Sequence, residues 1–171
     1  MFKSSVIIAA ITTILMVGGN CYAQSCRYEK NVIDALTEVP VRVTQPVTIG
    51  KLNNNPLYFK AQSVGIRYRF LKMKYYRYEG FSINEQREIA FRLSTNEEIV
   101  IQPRINPADT VQGVGETISS LIVYPLTADQ YEKLKRFPVT SFKYFGSDGA
   151  VEMPIKESRQ SKIMEILNCI D

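Results

Sequence analysis

A chain of 171 residues with 45% hydrophobic content can bury the core of an ordinary domain, and its complete lack of histidine excludes a Ser-His-Asp triad, a His-Glu-x-x-His zinc site and histidine general-base chemistry. A net charge of +4 is too small to imply nucleic-acid binding by itself. There is no Walker sequence, dinucleotide fingerprint or Gly-x-Ser-x-Gly elbow, and the few, distant cysteines cannot build a Cys-rich zinc site, so neither a cofactor nor a metal is expected.

The chain opens with a leader pattern. Lys3 supplies a positive start, residues 6–17 are apolar apart from Thr12 and Thr13, and Cys21-Tyr22-Ala23 fits the small-x-small rule for cleavage before Gln24. Residues 1–23 are therefore expected to be a cleaved signal peptide and residues 24–171 a single β-rich domain, periplasmic or secreted. A bilayer span needs roughly 20 apolar residues, more than this run supplies, so no transmembrane anchor is expected after cleavage. Lipidation of Cys21 after cleavage behind Asn20 is the alternative, which Gly18, Gly19 and Asn20 suit poorly. Export leaves Cys26 and Cys169 in an oxidising compartment, where an even count favours a bridge; two free thiols are the other reading.

Beyond Cys26, Val32, Ile33 and Leu36 fall at helical spacing and predict a short helix over 29–38. Val39, Val41 and Val43 then alternate with polar residues or proline as in a half-buried strand. Pro46 interrupts it, and residues 47–52 continue on a new strand up to the turn Asn53-Asn54-Asn55-Pro56. Strands are predicted over 57–62 and 64–73, the second with Val64, Ile66, Tyr68 and Phe70 on one face and Arg67 and Arg69 on the other. Residues 88–94 and 99–102 flank Thr95-Asn96-Glu97-Glu98 as a hairpin. Residues 103–116 form the longest loop, and long loops in compact domains are often functional.

A strand over 118–124 leads to the best-signalled helix. Thr127 and Gln130 form a capping box, Leu126 and Tyr131 a hydrophobic staple. Asp129 near the start and Lys133, Lys135 and Arg136 near the end complement the helix dipole, and Pro138 stops the helix. Strands over 139–145 and 150–155 flank Gly146-Ser147-Asp148-Gly149. A last helix from about Ser158 buries Ile163, Ile166, Leu167 and Ile170, with Cys169 near the same face. The expected class is α+β, mainly β: an antiparallel sheet or sandwich of about eight short strands, with two helices in the C-terminal part.

Chemistry-bearing constellations are few. Gly113-Val114-Gly115 is a lone Gly-x-Gly of loop character. Glu97 and Glu98 are the nearest pair for carboxylate-based hydrolysis, but neighbours on a strand point to opposite faces. The stretch 60–78 stands out: Lys60, Arg67, Arg69, Lys72, Lys74 and Arg77 with no acidic residue, interleaved with Tyr68, Tyr75, Tyr76 and Tyr78. Arg67, Arg69, Lys72, Lys74, Tyr75, Tyr76 and Arg77 are the expected binding residues, since cations meet phosphate, sulfate or carboxylate and aromatic faces stack on sugars or bases. A strand with one core face and one solvated basic face is the plainer reading. Export argues against nucleic acid and leaves envelope proteins or anionic and glycan polymers as partners.

Several motifs recur in a recognisable order. Phe91-Arg92-Leu93-Ser94 runs into Glu98-Ile99-Val100-Ile101, and Tyr124-Pro125-Leu126-Thr127 opens a short helix to Leu134. Pro138-Val139-Thr140 then enters a strand, followed by the Ser147-Asp148-Gly149 turn and a terminal amphipathic helix. Over about residues 88–170 this order resembles small exported β-rich proteins of unknown function from Bacteroides-type bacteria. The resemblance implies export and a bacterial envelope setting and carries over no site residue. The expected function is a non-catalytic binding or structural module of the envelope, with a carboxylate-based hydrolase of envelope carbohydrate as the alternative.

Overall fold

A computed structural model describes residues 26–52, 54–77, 83, 84, 86–104, 118–146 and 149–171. The leader, Cys21, most of the loop 103–116 and the centre of the turn 146–149 lie outside the described residues. In chain order the elements are β1 (Tyr28–Ile33), β2 (Pro40–Thr44), β3 (Val47–Leu52), β4 (Asn55–Val64), β5 (Tyr68–Arg77), β6 (Ile89–Leu93), β7 (Glu98–Ile101) and β8 (Ile118–Leu126). Helix α1 (Ala128–Arg136), β9 (Val139–Gly146), β10 (Gly149–Pro154) and α2 (Lys162–Asn168) complete them. The chain is thus mainly β with two helices in its C-terminal part, and the described residues hold ten strands where about eight were expected.

Every strand pairing is antiparallel. The larger sheet runs β1-β2-β4-β5-β8, with β3 beside β2 along the same edge of β4. The smaller runs β10-β9-β6-β7. The two sheets face one another through aromatic rings: Phe59 of β4 meets Phe91 of β6 and Phe142 of β9 nearly edge-on, each with centroids 5.6 Å apart. Such offset contacts suit the ring quadrupoles and add to the burial of large apolar surface. Tyr131 and Leu134 of α1 and Ile163, Ile166 and Leu167 of α2 join the same core.

The step between β2 and β3 shows how the chain keeps its backbone satisfied. Gln45 and Pro46 leave the β4 ladder, and the buried Thr44 hydroxyl accepts the Ala61 N–H at 2.9 Å in place of a strand partner. The capping box of α1 forms as expected: Gln130 N–H donates to Thr127 Oγ1 (3.2 Å) and Thr127 N–H to Gln130 Oε1 (2.9 Å). The Gln130 amide also donates to the Val100 carbonyl at 2.8 Å, which ties the helix to β7.

Two local expectations are corrected. Residues 29–38 hold no helix. β1 pairs with β2, and the Asp34 carboxylate then accepts the Leu36 N–H, the Thr37 N–H and the Thr37 hydroxyl, closing a tight turn. Val32, Ile33 and Leu36 all stay exposed, so a helix there would have had no apolar face to bury. Residues 64–73 are likewise not one strand. Gly65 adopts a positive φ of 61°, and the chain reverses over 65–67 from β4 into β5. Across the reversal Tyr68 and Phe70 stay on the same side as Val64, which is the outer side, and the core side of β5 carries Leu71, Met73 and Tyr75.

Candidate functional site

Strand alternation sorts the basic stretch onto different surfaces. On β4 and β5, Phe59, Ala61, Leu71, Met73 and Tyr75 face the core, so Tyr58, Lys60, Gln62, Phe70, Lys72, Lys74 and Tyr76 occupy the outer face. Cross-strand register then sets rows across the sheet. Val32, Val41, Val64 and Tyr68 form the first row, and Lys30, Val43, Gln62, Phe70 and Pro125 the second. Lys60, Lys72 and Val123 form the third, and Tyr58, Lys74 and Leu121 the fourth.

Lys60 and Lys72 thus stand directly opposite one another in an antiparallel pair, an arrangement that like charges destabilise. Glu29 reaches in from β1 to pair with Lys60. The Lys74 ammonium lies 5.6 Å from the centroid of the Tyr76 ring, and Tyr76 meets Tyr58 edge-on at 6.4 Å. Arg104 enters from beyond β7: its N–H donates to the Val123 carbonyl at 2.7 Å, which fixes the exposed residue beside β8. Arg104 and Lys72, together with Gln62, Val64, Tyr68, Phe70 and Val123, line a depression of about 570 Å³ on this face.

Of the seven expected binding residues, Lys72, Lys74 and Tyr76 therefore share one surface. Tyr75 does not join them. It is 1% exposed, and its hydroxyl donates to the Ile83 carbonyl (3.3 Å) and accepts the Ile83 N–H (3.2 Å), so it anchors the chain after β5 instead of offering a ring to a ligand. Arg67 sits exposed in the β4–β5 turn. Arg69 points to the helix side, where its guanidinium donates to the Gly65 carbonyl at 3.1 Å and lies 5.4 Å from the Tyr131 ring centroid. Arg67 and Arg69 border a second hollow of about 290 Å³ that includes Tyr131, Glu132 and Asp171. The Arg77 side chain lies outside the described residues.

Sequence reasoning passed over Tyr58, Gln62, Phe70 and Arg104 as members of this face. Reading Gly65 as a turn would have placed Tyr58, Lys60 and Gln62 beside Lys72, since a hairpin fixes which residues oppose each other. Arg104 carries no local signal, because a distant main-chain bond brings it there.

The sulfurs of Cys26 and Cys169 lie 2.16 Å apart, at bonding distance, with Cα atoms 5.4 Å apart. Hydrogen bonds reinforce the tie between the ends. The Tyr28 hydroxyl donates to the Cys169 carbonyl at 2.6 Å, and the Arg42 guanidinium donates to a carbonyl-type oxygen of Asp171 at 2.5 Å. Lys135 reaches Asp171 at 2.9 Å, which holds the Asp171 carboxyl below the usual carboxylate range.

Among the described residues, Glu97 and Glu98 are held apart by different basic partners. Glu97 bonds Lys133 of α1 at 2.7 Å, whereas Glu98 lies 3.6 Å from Arg92 of β6. Arg92 is also 3.3 Å from Glu152, whose carboxyl is lowered chiefly by the hydroxyl of Ser141. The Asp34, Glu88, Glu152, Glu165 and Asp171 carboxyls are likewise held below the usual carboxylate range. Among the described residues no three His, Cys, Asp or Glu side chains gather as metal ligands, and no helix is long and apolar enough to cross a membrane. No protein-family model, no curated protein and no solved structure matches the chain.

Proposed function

We propose that this protein is an exported, non-catalytic binding module of a bacterial cell envelope that holds an anionic glycan polymer against the outer face of its larger sheet. The observation that carries this reading is a depression of about 570 Å³ lined by Lys72 and Arg104 with Tyr68 and Phe70, beside which Lys60, Lys74, Tyr58 and Tyr76 extend the same outer face. Ring faces offer apolar platforms to the C–H faces of sugars, while ammonium and guanidinium groups meet sulfate, phosphate or carboxylate. The leader pattern and the Cys26–Cys169 pair support an oxidising, extracytoplasmic setting.

Retention on immobilised heparin in a salt gradient tests the reading. Wild type should be held at low salt and released as salt screens the contacts. The double variant Lys74→Ser/Arg104→Ser should elute markedly earlier, and Arg67→Ser, in the turn, should elute close to wild type. Co-elution of the double variant with wild type would remove the outer face as the binding surface.

A further inference from the structure

The outer face is not uniform along its strands, and its polarity changes in one direction. The first row, Val32, Val41, Val64 and Tyr68, is apolar apart from one phenol, and the cations stand beyond it, Lys30 in the second row, Lys60 and Lys72 in the third and Lys74 in the fourth. From Tyr68 to Lys74 the strand advances by about 20 Å, at roughly 3.4 Å per residue.

Beyond the apolar row two hairpin tips continue the trend. Leu36, at the apex of the β1–β2 turn, is 95% exposed, Ile66 in the β4–β5 turn is 88% exposed, and Ile33 beside them is 70% exposed. The tips belong together, because the Gly65 N–H donates to the Pro40 carbonyl at 2.8 Å.

Both tips are braced in a way that holds apolar side chains in water. The Asp34 carboxylate is turned onto the Leu36 and Thr37 amides, so the loop is fixed with Leu36 outward. Arg69 braces the other tip through the Gly65 carbonyl. A β-branched residue such as Ile66 gains nothing from an exposed turn apex, and exposed apolar clusters mark contact sites.

A water-soluble polysaccharide accounts for the basic rows and leaves this pole without a role. We infer that the ligand is an anionic glycolipid: its acylated end and the surrounding lipid surface meet Leu36, Ile66 and the first row, and its phosphorylated sugar reaches the basic rows. This inference rests on the glycan reading above and names the ligand class of the same face. Charge and shape select that occupant. Among the described residues the four rows contain no carboxylate, Glu29 entering only as the partner of Lys60. Leu36 and Ile66 are almost wholly exposed at their tips, as suits insertion into a soft lipid interface, and the exposed ring of Tyr68 is amphipathic at the boundary between the two zones.

Flotation with phosphatidylcholine vesicles tests this, with and without an admixed phosphorylated, acylated glucosamine disaccharide. The same disaccharide stripped of its acyl chains serves as a soluble competitor, and heparin retention is measured in parallel. Wild type should float with the glycolipid vesicles and not with phosphatidylcholine alone. Leu36→Ser/Ile66→Ser should bind the glycolipid vesicles at least about tenfold more weakly, the loss of partitioning expected for two apolar side chains, and keep wild-type heparin retention. The stripped disaccharide should compete only at far higher concentration than the acylated one. Heparin retention without any preference for glycolipid vesicles overturns this inference and leaves the glycan reading standing. Failure to bind either overturns both. Undiminished flotation of the tip variant shows that the pole does not meet lipid, and concentration-dependent dimers of wild type that the tip variant abolishes would assign the pole to self-association.

Discussion

The two faces of the β4–β5 ribbon are made from alternate residues of the same two strands, yet they answer to different demands. Inside, Phe59, Ala61, Leu71 and Met73 have no exposed surface, and their neighbours across the sandwich fix their shape. Outside, Lys60 lies opposite Lys72, and Tyr58, Lys74 and Tyr76 contact one another at the surface. The inner face lowers the free energy of folding by excluding water. The outer face keeps its cations at the surface, with Lys60 paired to Glu29, so its side chains bury little and contribute little to folding. Substitutions on the two faces should therefore separate unfolding from binding.

The largest effect is expected inside. Phe59→Ala leaves a cavity between Phe91 and Phe142 and should cost about 3–5 kcal/mol of unfolding free energy, read from urea midpoints. The folded fraction should still be retained on heparin like wild type. A loss of retention without a loss of stability would mean that the ring acts on the outer surface through the sheet, against the separation of faces.

The clasp between the chain ends comes next. β1 buries almost nothing of its own, since beyond the half-buried Tyr28 its residues are exposed, so the Cys26–Cys169 bond and the β2 ladder are what hold it. Cross-linking residues 143 apart should be worth up to about 5 kcal/mol through the entropy of the unfolded chain. Cys169→Ser, or dithiothreitol added to wild type, should lower the urea midpoint accordingly. Because β1 supplies Lys30 and Val32 to the outer rows, both treatments should also weaken heparin retention. Equal midpoints with and without reductant would show that the clasp does not stabilise the fold.

A smaller effect is expected at Tyr131, which is 6% exposed and donates to the Leu167 carbonyl at 3.1 Å. Burial pushes its phenol above the ordinary value, with the neighbouring Arg69 working the other way. The fold thus favours the neutral form. That contribution is full below the usual phenol pKa of about 10 and fades as pH rises through the raised value. Tyr131→Phe should cost about 1 kcal/mol near neutral pH through the lost hydrogen bond, and its urea midpoint should fall less steeply than that of wild type in alkali. Parallel alkaline curves would show that Tyr131 does not titrate against the fold.

Legibility in the sequence followed the range of the signal. The α1 capping box, the 88–102 hairpin and the apolar face of α2 were readable because each is written within a few neighbouring residues. The 29–38 segment misled because Val32, Ile33 and Leu36 satisfy a helical spacing while Asp34 carries the stronger signal, a side chain that closes a turn on its own backbone. The face of β5 had the wider consequence: Tyr68 and Phe70 share the outer side with Val64, and Tyr75, expected in the binding set, lies with Leu71 and Met73 in the core. The basic character of the stretch was visible, but its division between faces depends on register. The presence of Arg104 depends on a hydrogen bond to a strand nearly twenty positions on in the chain, to Val123.

The smallest expected change in stability tests the comparison most sharply. Lys74→Ser/Arg104→Ser removes the Lys74 contact with Tyr76, worth about 0.5–1 kcal/mol at an exposed site, and also removes positive charge beside Lys60 and Lys72, which acts in the opposite sense. Arg104 stays in place, because it is the main-chain N–H that donates to Val123. The net shift in unfolding free energy should therefore stay within about 0.5 kcal/mol, as for ordinary surface substitutions, while retention on heparin falls. Loss of retention at constant stability would locate recognition on the outer face alone. If the double variant instead unfolds as readily as Phe59→Ala, the outer rows brace the sheet and the two faces of the ribbon share one structural role.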